Sequence, residues 1–384
     1  MQNMSNHANK GLGRIIAIQL TILMASFFIV ELFLWSFFPV HSDSAHIIFK
    51  QNLAGLKRNI VYDTNEYGFR SLSMQQEKKP ANSIRIFCLG ASTTDQSPQN
   101  TVDTWCALLE NKLNNEFHQS KIRIETAGFG RGGWKAIDLY NWARNNIKRF
   151  KPDIVITLMG INDLSWNGGP DYSYTGLEDA LQKKYPLSTE SETTDICNKY
   201  SQICRRIVLA KRRISQIIHS RTGKVLEWHS DNLPQLRKNY QQLPLIEHVN
   251  RMPDPIMEFS DAMDAMLSLL QDEGIEVLTL GQPVLWKNTM RLEEANTLWF
   301  SVNTPHGPVR PSGEWLLNEM QRYNVEQENI ASRRGASYVD LDSAIPKTLE
   351  YYFDDCHYTD AGSNLVASVI LPSIKKHVQL LLQK

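Results

Sequence analysis

Cysteine is scarce. Five residues in a chain of 384 do not make a disulfide scaffold. Cys197 and Cys204 lie near enough in sequence to close a short loop in an oxidising compartment, whereas Cys88 and Cys106, on a strand pattern and a helix pattern, read as packed thiols rather than catalysts. Neither a Cys-x-x-Cys nor a His-x-x-x-His spacing occurs, so no metal-ligand cluster is expected. An excess of either charge is missing too: Lys plus Arg and Asp plus Glu each number 41. That balance gives no reason to expect a nucleic-acid or acidic partner. Internal repeats and low-complexity tracts are absent. At 42% hydrophobic and 21% charged residues, the chain has the composition of one large folded domain or two small ones.

One local stretch departs from that average. Residues 15–40 read IIAIQLTILMASFFIVELFLWSFFPV, long enough to cross a hydrocarbon core of about 30 Å as a helix. A secretory signal has an apolar core of roughly 7–15 residues and a small-residue cleavage site, so the reading is an uncleaved anchor. Lys10 and Arg14 precede it and no Lys or Arg occurs at 41–44, which favours a cytoplasmic N-terminus (1–14) and an extracytoplasmic remainder. Lys50, Lys57 and Arg58 weaken that asymmetry. Glu31 is uncomfortable in lipid; placement near the outer boundary, protonation, or contact with a partner helix would each relieve it.

Residues 41–82 read as a juxtamembrane linker that ends by packing onto a domain spanning 83–384. That domain opens with IRIFCLGASTTD (Ile84 to Asp95). A β-branched and aromatic run stops at Gly90, and a tight turn delivers Ser92 to the carboxyl edge of a sheet. Asp103 to Phe117 has helical spacing. A second unit follows: a strand at Ile122 to Thr126, the glycine-dense turn AGFGRGGWKA, and a helix from Ile137 to Phe150. Gly128, Gly130, Gly132 and Gly133 leave backbone N–H groups bare, as a loop close to a ligand requires. The third unit is an apolar strand, Ile154 to Leu158, ending in Gly160-Ile161-Asn162-Asp163. Asn162 there is a candidate donor to an oxyanion, while Asn-Asp pairs also cap turns.

The alternation lapses over about 166–255, read as a helical insertion with a basic amphipathic pattern. It contains ten Lys and Arg against two acids between Lys199 and Lys238, suited either to anionic lipid or a polyanion, or to a solvated helical face. Regularity then returns: a helix at Met257 to Leu270, a strand at Glu276 to Leu280, a long helix within Ser312 to Gly335, and a short strand at Tyr338 to Leu341. Thr304 to Gly313 reads as a loop containing His306, a weak candidate for substrate contact. The last stretch, YYFDDCHYTDAGSNLVASVI, places Asp354 and His357 three apart just before a helix starting near Asp360. That spacing lets the carboxylate turn back to the imidazole Nδ1–H while Nε2 faces a serine, making His357 the general base for Ser92 and Asp354 its orienting partner.

Together, Gly90-Ala-Ser-Thr, the Gly160 to Asp163 block and Asp354-x-x-His357 resemble the blocks of the SGNH (GDSL-like) hydrolase family, in a membrane-anchored bacterial form. The resemblance covers roughly 84–166 and 304–371. It implies a flavodoxin-like three-layer α/β/α fold with a parallel sheet, a catalytic set of Ser92, Asp354 and His357, and an oxyanion hole from Ser92 N–H, a glycine N–H and Asn162. Gly133 is the choice for that glycine, with Gly130 and Gly132 as alternatives, because the family's Asn before the glycine is absent. It further implies an esterase that forms an acyl-enzyme on Ser92 and requires no cofactor or metal. The anchor suggests an envelope or exopolysaccharide O-acyl ester as substrate. An O-acyltransferase keeps the same acyl-enzyme, and a non-catalytic membrane-anchored binding protein is the alternative of another class.

Overall fold

The computed structural model describes residues 2–37, 45–65, 67–165, 177, 201–204, 206–207, 233–249, 254–304 and 306–383. It divides into two compact units, one formed by 1–42 with 187–224 and the other by 43–186 with 225–384. Most of the inserted segment, including Cys197 and much of the basic run, lies outside the described residues.

The first unit is built on α1 (Gln2–Phe37), whose stretch Ala17–Leu34 is long and apolar enough to span a membrane. Its large side chains, among them Leu23, Phe28 and Leu32, are exposed. Glu31 is the exception: it is buried and accepts hydrogen bonds from Ser201 Oγ, from Gln202 N at 2.7 Å and from Ile203 N at 3.1 Å. Glu31 is thus held by another segment of the chain, residues 201–203.

The second unit begins where a linker was expected. β1 (Ala45–Lys50) and β2 (Asn59–Thr64) form an antiparallel pair, and Phe69 and Met74 are fully buried. The core is the parallel sheet of β3 (Ser83–Gly90), β4 (Arg123–Gly130), β5 (Ile154–Leu158), β7 (Glu276–Leu280) and β10 (Ser337–Val339), in the spatial order β4-β3-β5-β7-β10. Every residue of β3 and β5 is buried, as their nearly unbroken apolar runs require of strands covered on both faces. Helices α3 (Trp105–Glu116) and α9 (Asp360–Gln383) pack together as one layer. The other layer comprises α4 (Ala136–Phe150), α7 (Ile256–Asp272) and α8 (Gly313–Arg334). Although α9 is also long and apolar, Val366, Ile370, Ile374 and Val378 are buried, and it is a core helix. Ser312 caps α8 by accepting from Trp315 N, and Gly335 ends it.

The strand order is the doubly wound 2-1-3-4-5 arrangement, in which the direction of winding reverses between β3 and β5. Such a reversal leaves a crevice at the carboxyl ends of the two strands, where open α/β sheets place their ligands.

Two further expectations need correction. The glycine-dense stretch is not all turn: β4 continues through Ala127, Gly128, Phe129 and Gly130, paired with Phe87 to Gly90. The expected loop at 304–313 is largely strand, with β8 (Val302–Thr304) antiparallel to β9 (Gly307–Pro311), and β9 alongside β6 (Leu245–Ile246).

Candidate active site

Ser92 opens a single helical turn, α2 (Ser92–Asp95), at the end of β3. This turn lies directly against β4. A Cβ on Gly130 would sit 2.2 Å from Asp95 N and 2.4 Å from Ala91 O, so only glycine fits at that point. Gly130 is thereby a packing residue, and it does not line the cavity that Ser92 borders. Being first in its helix, the Ser92 amide has no acceptor within its own turn, as helix starts dictate.

The chain after Ser92 is held by a side chain from the stretch expected to be a linker. Arg70 is almost completely buried, and its guanidinium donates to the carbonyls of Asp95, Gln96 (2.7 Å) and Gln99 (2.6 Å) and to Thr101 Oγ1. Its charge also lies 4.5 Å over the Tyr62 ring, and Tyr62 Oη donates to Asp95 Oδ1 at 2.9 Å. Cys88 and Cys106, expected as separate thiols, form a disulfide with Cα atoms 6.3 Å apart. The packing of α3 beside β3 brings them together, a proximity that a separation of 18 residues does not announce. Cys204 is disulfide-bonded as well.

The acid and base arrive from the other end of the chain. Asp354 Oδ1 accepts the amides of Cys356 (3.1 Å) and His357 (2.9 Å), closing the turn, and both carboxylate oxygens lie 2.9 Å from His357 Nδ1. One carboxylate therefore both caps the turn and orients the imidazole. Across 265 residues of sequence, His357 Nε2 lies 2.8 Å from Ser92 Oγ. Burial by itself would raise Asp354, but the adjacent imidazole and the hydrogen bonds it receives hold it below the usual carboxylate range. Burial would likewise lower His357, and the Asp354 carboxylate outweighs it, raising the imidazole well above its ordinary value.

The Gly160 to Asp163 block, at the end of β5, pins the loop after β4. Asn162 Nδ2 donates to Trp134 O at 2.8 Å, and Asp163 Oδ1 accepts from Ala136 N, at the start of α4, at 3.0 Å. Asn162 retains a second amide hydrogen for the cavity it lines. Gly132 and Gly133 also line that cavity, and neither amide meets a backbone acceptor among the described residues. Gly133 has φ +78°. Asp163 is fully buried with Oδ2 unpaired, and burial raises its pKa to about 7.

The cavity has a volume of about 920 Å³ and brings together Ser92, Gly133, Asn162, Asp354 and His357. It excludes His306, which is exposed in the β8–β9 turn. Trp299 was missed in the sequence. Its indole donates to Asp354 Oδ2 at 3.0 Å, and its ring lies 6° from parallel to the imidazole with centroids 6.3 Å apart. It sits in a loop whose only local signal is a Trp-Phe pair after polar residues.

A doubly wound α/β domain with a serine, histidine and aspartate chained at its switch point has the architecture of a serine hydrolase. The sequence matches the GDSL-like Lipase/Acylhydrolase family over residues 88–365, and the chain belongs to that family; it is a hydrolase acting on ester bonds. No curated protein matches it. Among solved structures it is similar to LAE5, an alpha/beta hydrolase enzyme from the metagenome of Lake Arreo, Spain, at 16% identity and TM-score 0.40 over 76% of this chain and 94% of that one. The acetyl xylan esterase AlAXEase gives 13% and 0.41 over 76% and 100%. A putative GDSL-like lipase from Parabacteroides merdae gives 11% and 0.40 over 78% and 98%.

Proposed function

We propose that this protein removes an O-acyl group from an uncharged, hydroxyl-rich molecule such as a cell-envelope glycan, through an acyl-enzyme on Ser92. The observation that carries the reading is the continuous chain from Ser92 Oγ to His357 Nε2 and from His357 Nδ1 to Asp354, opening on the cavity. His357 takes the Ser92 proton as Oγ attacks the ester carbonyl, and Asp354 stabilises the imidazolium so formed. The Ser92 amide, the Gly133 amide and Asn162 Nδ2 stabilise the oxyanion. As the tetrahedral intermediate collapses, the ester C–O bond breaks and His357 returns the proton to the leaving alkoxide. Water then attacks the acyl-enzyme by the same route, releasing the acid and restoring Ser92.

The cavity walls favour a neutral substrate. They offer Ser97, Gln235, Ser301 and Asn303 as uncharged hydrogen-bonding groups and Trp299 and Phe300 as apolar faces, with no Lys or Arg among the described lining residues. An anionic sugar would meet Asp95 and gain no compensating cation. As to location, we read α1 as a retained anchor with the second unit outside the cytoplasm. The capture of Glu31 by residues 201–203 ties the helix to later chain. The Cys88–Cys106 disulfide suits an oxidising compartment.

The test is incubation with acetylated neutral and acetylated uronic-acid oligosaccharides, with and without an acceptor sugar, alongside a serine-directed phosphonate. Acetate release from the neutral series and labelling at Ser92 are expected. Acetylated acceptor in place of acetate assigns a transferase, and neither product nor labelling removes the enzyme reading of Ser92.

A further inference from the structure

The two carboxylates of Asp354 and Asp355 are adjacent, fully buried and differently held. Asp355 Oδ1 accepts from Trp286 Nε1 at 2.8 Å, and its Oδ2 accepts the amides of Trp299 (2.8 Å) and Phe300 (3.1 Å). Asp354 Oδ1 accepts the amides of its own turn, and both of its oxygens lie 2.9 Å from His357 Nδ1; apart from that imidazole, Oδ2 meets only the Trp299 indole among the described residues. Among the described residues Trp299 is thus the one that donates to both acids, with its ring N–H to the first and its main-chain N–H to the second.

We propose that Trp299 is a positioning residue for the relay: its indole N–H fixes the plane of the Asp354 carboxylate against His357, and its main-chain N–H holds Asp355 apart from the imidazole. This inference rests on the reading of Ser92, His357 and Asp354 given above. Without the indole, Oδ2 is held only by the imidazole that the carboxylate is to orient, so the two can turn together about the Asp354 Cβ–Cγ bond; a donor from outside the pair stops that rotation. In water-excluded surroundings a donor to the charged form also spreads its charge and makes it a weaker base. Groups facing the pair are Asp355, the Cys356 thiol (Sγ 3.8 Å from His357 Nδ1) and Ser92 Oγ, with Phe353 stacked 5.7 Å from the imidazole. None of these replaces a donor on Asp354 Oδ2.

The decisive experiment replaces Trp299 in the full chain by β-(3-benzothienyl)alanine, which keeps the ring's shape and puts sulfur where the N–H was; Trp299→Phe serves as the second variant. With a short-chain nitrophenyl ester, kcat is expected to fall roughly tenfold at nearly constant KM, the size of one hydrogen bond to a charged group. The acid limb of kcat/KM is expected to move upward by about half a pH unit, because a more basic Asp354 holds the imidazole proton to higher pH. The downfield NMR resonance of the His357 Nδ1 proton should shift or broaden in the variant. An unchanged limb and resonance overturn the proposal, as does a higher KM alone, which would make the ring only a wall of the cavity. A fall in kcat that merely tracks the loss of phosphonate-titratable enzyme overturns it too. If the parent chain shows the resonance but neither turnover nor labelling at Ser92, the hydrolase mechanism fails while the Trp299 assignment is still decided by the resonance.

Discussion

Buried ionisable groups lie near both ends of β3, and the two clusters are built on opposite terms. Near the amino end, Arg85 is completely buried: its Nε donates to Glu125 Oε1 at 2.5 Å, and its other nitrogens donate to the carbonyls of Gln76, Glu77 and Phe150. That guanidinium is closed off by its partners. Beyond the carboxyl end, His357 is almost as buried, but its Nε2 is spent on a hydroxyl that borders a cavity. An ionisable group is therefore closed off by its partners at one end and left bordering a cavity at the other. Burial alone does not mark a site; what marks it is a buried ionisable group whose last partner faces open space.

The largest contrast comes from crossing the two ends. Ser92→Ala is expected to lower kcat by about 10⁴-fold or more with little change in the urea midpoint. Arg85→Met is expected to do the reverse, costing about 3–5 kcal/mol because Glu125 is left buried and uncompensated, while each folded molecule labels at Ser92 normally. Pairing Arg85→Met with Glu125→Leu should recover much of the loss. A Ser92→Ala chain that unfolds early, or an Arg85→Met chain of normal stability, would erase the distinction.

Asn162→Ala sharpens it within the carboxyl end. Loss of one oxyanion donor is expected to cost about 100- to 1,000-fold in kcat. A loss confined to stability would instead make Asn162 only a tether for Trp134 O. The smallest effect concerns Asp163. Its raised folded pKa means that the folded state holds this proton more tightly than the unfolded chain, so its contribution to stability is complete below the ordinary 3.8 and declines as pH rises toward about 7. Asp163→Asn, which keeps an acceptor for Ala136 N, should flatten the urea-midpoint profile over that window. A profile identical to that of the parent chain would show that Asp163 does not titrate there.

Local pattern revealed most of the secondary structure because burial on both faces forces apolar runs such as Ile154 to Leu158, and because caps such as Ser312 and Gly335 act on their own neighbours. It failed at Ala127 to Gly130, where glycines signify the approach of another segment's backbone rather than a turn. It also failed at 45–74, where polar, turn-rich residues conceal two strands and the buried Arg70.

Sequence alone determined the three local motifs on which the family resemblance rests: the serine at the end of a strand, the Gly-x-Asn-Asp turn and the Asp-x-x-His turn are each legible because each is made by residues within a few positions of one another. Only the tertiary structure decided how they meet, and which unmarked residues hold them there. Trp299, Arg70 and the Cys88–Cys106 pair act across long stretches of chain, and contacts of that range are set by how helices pack on a twisted sheet, which leaves no periodicity in the residues themselves.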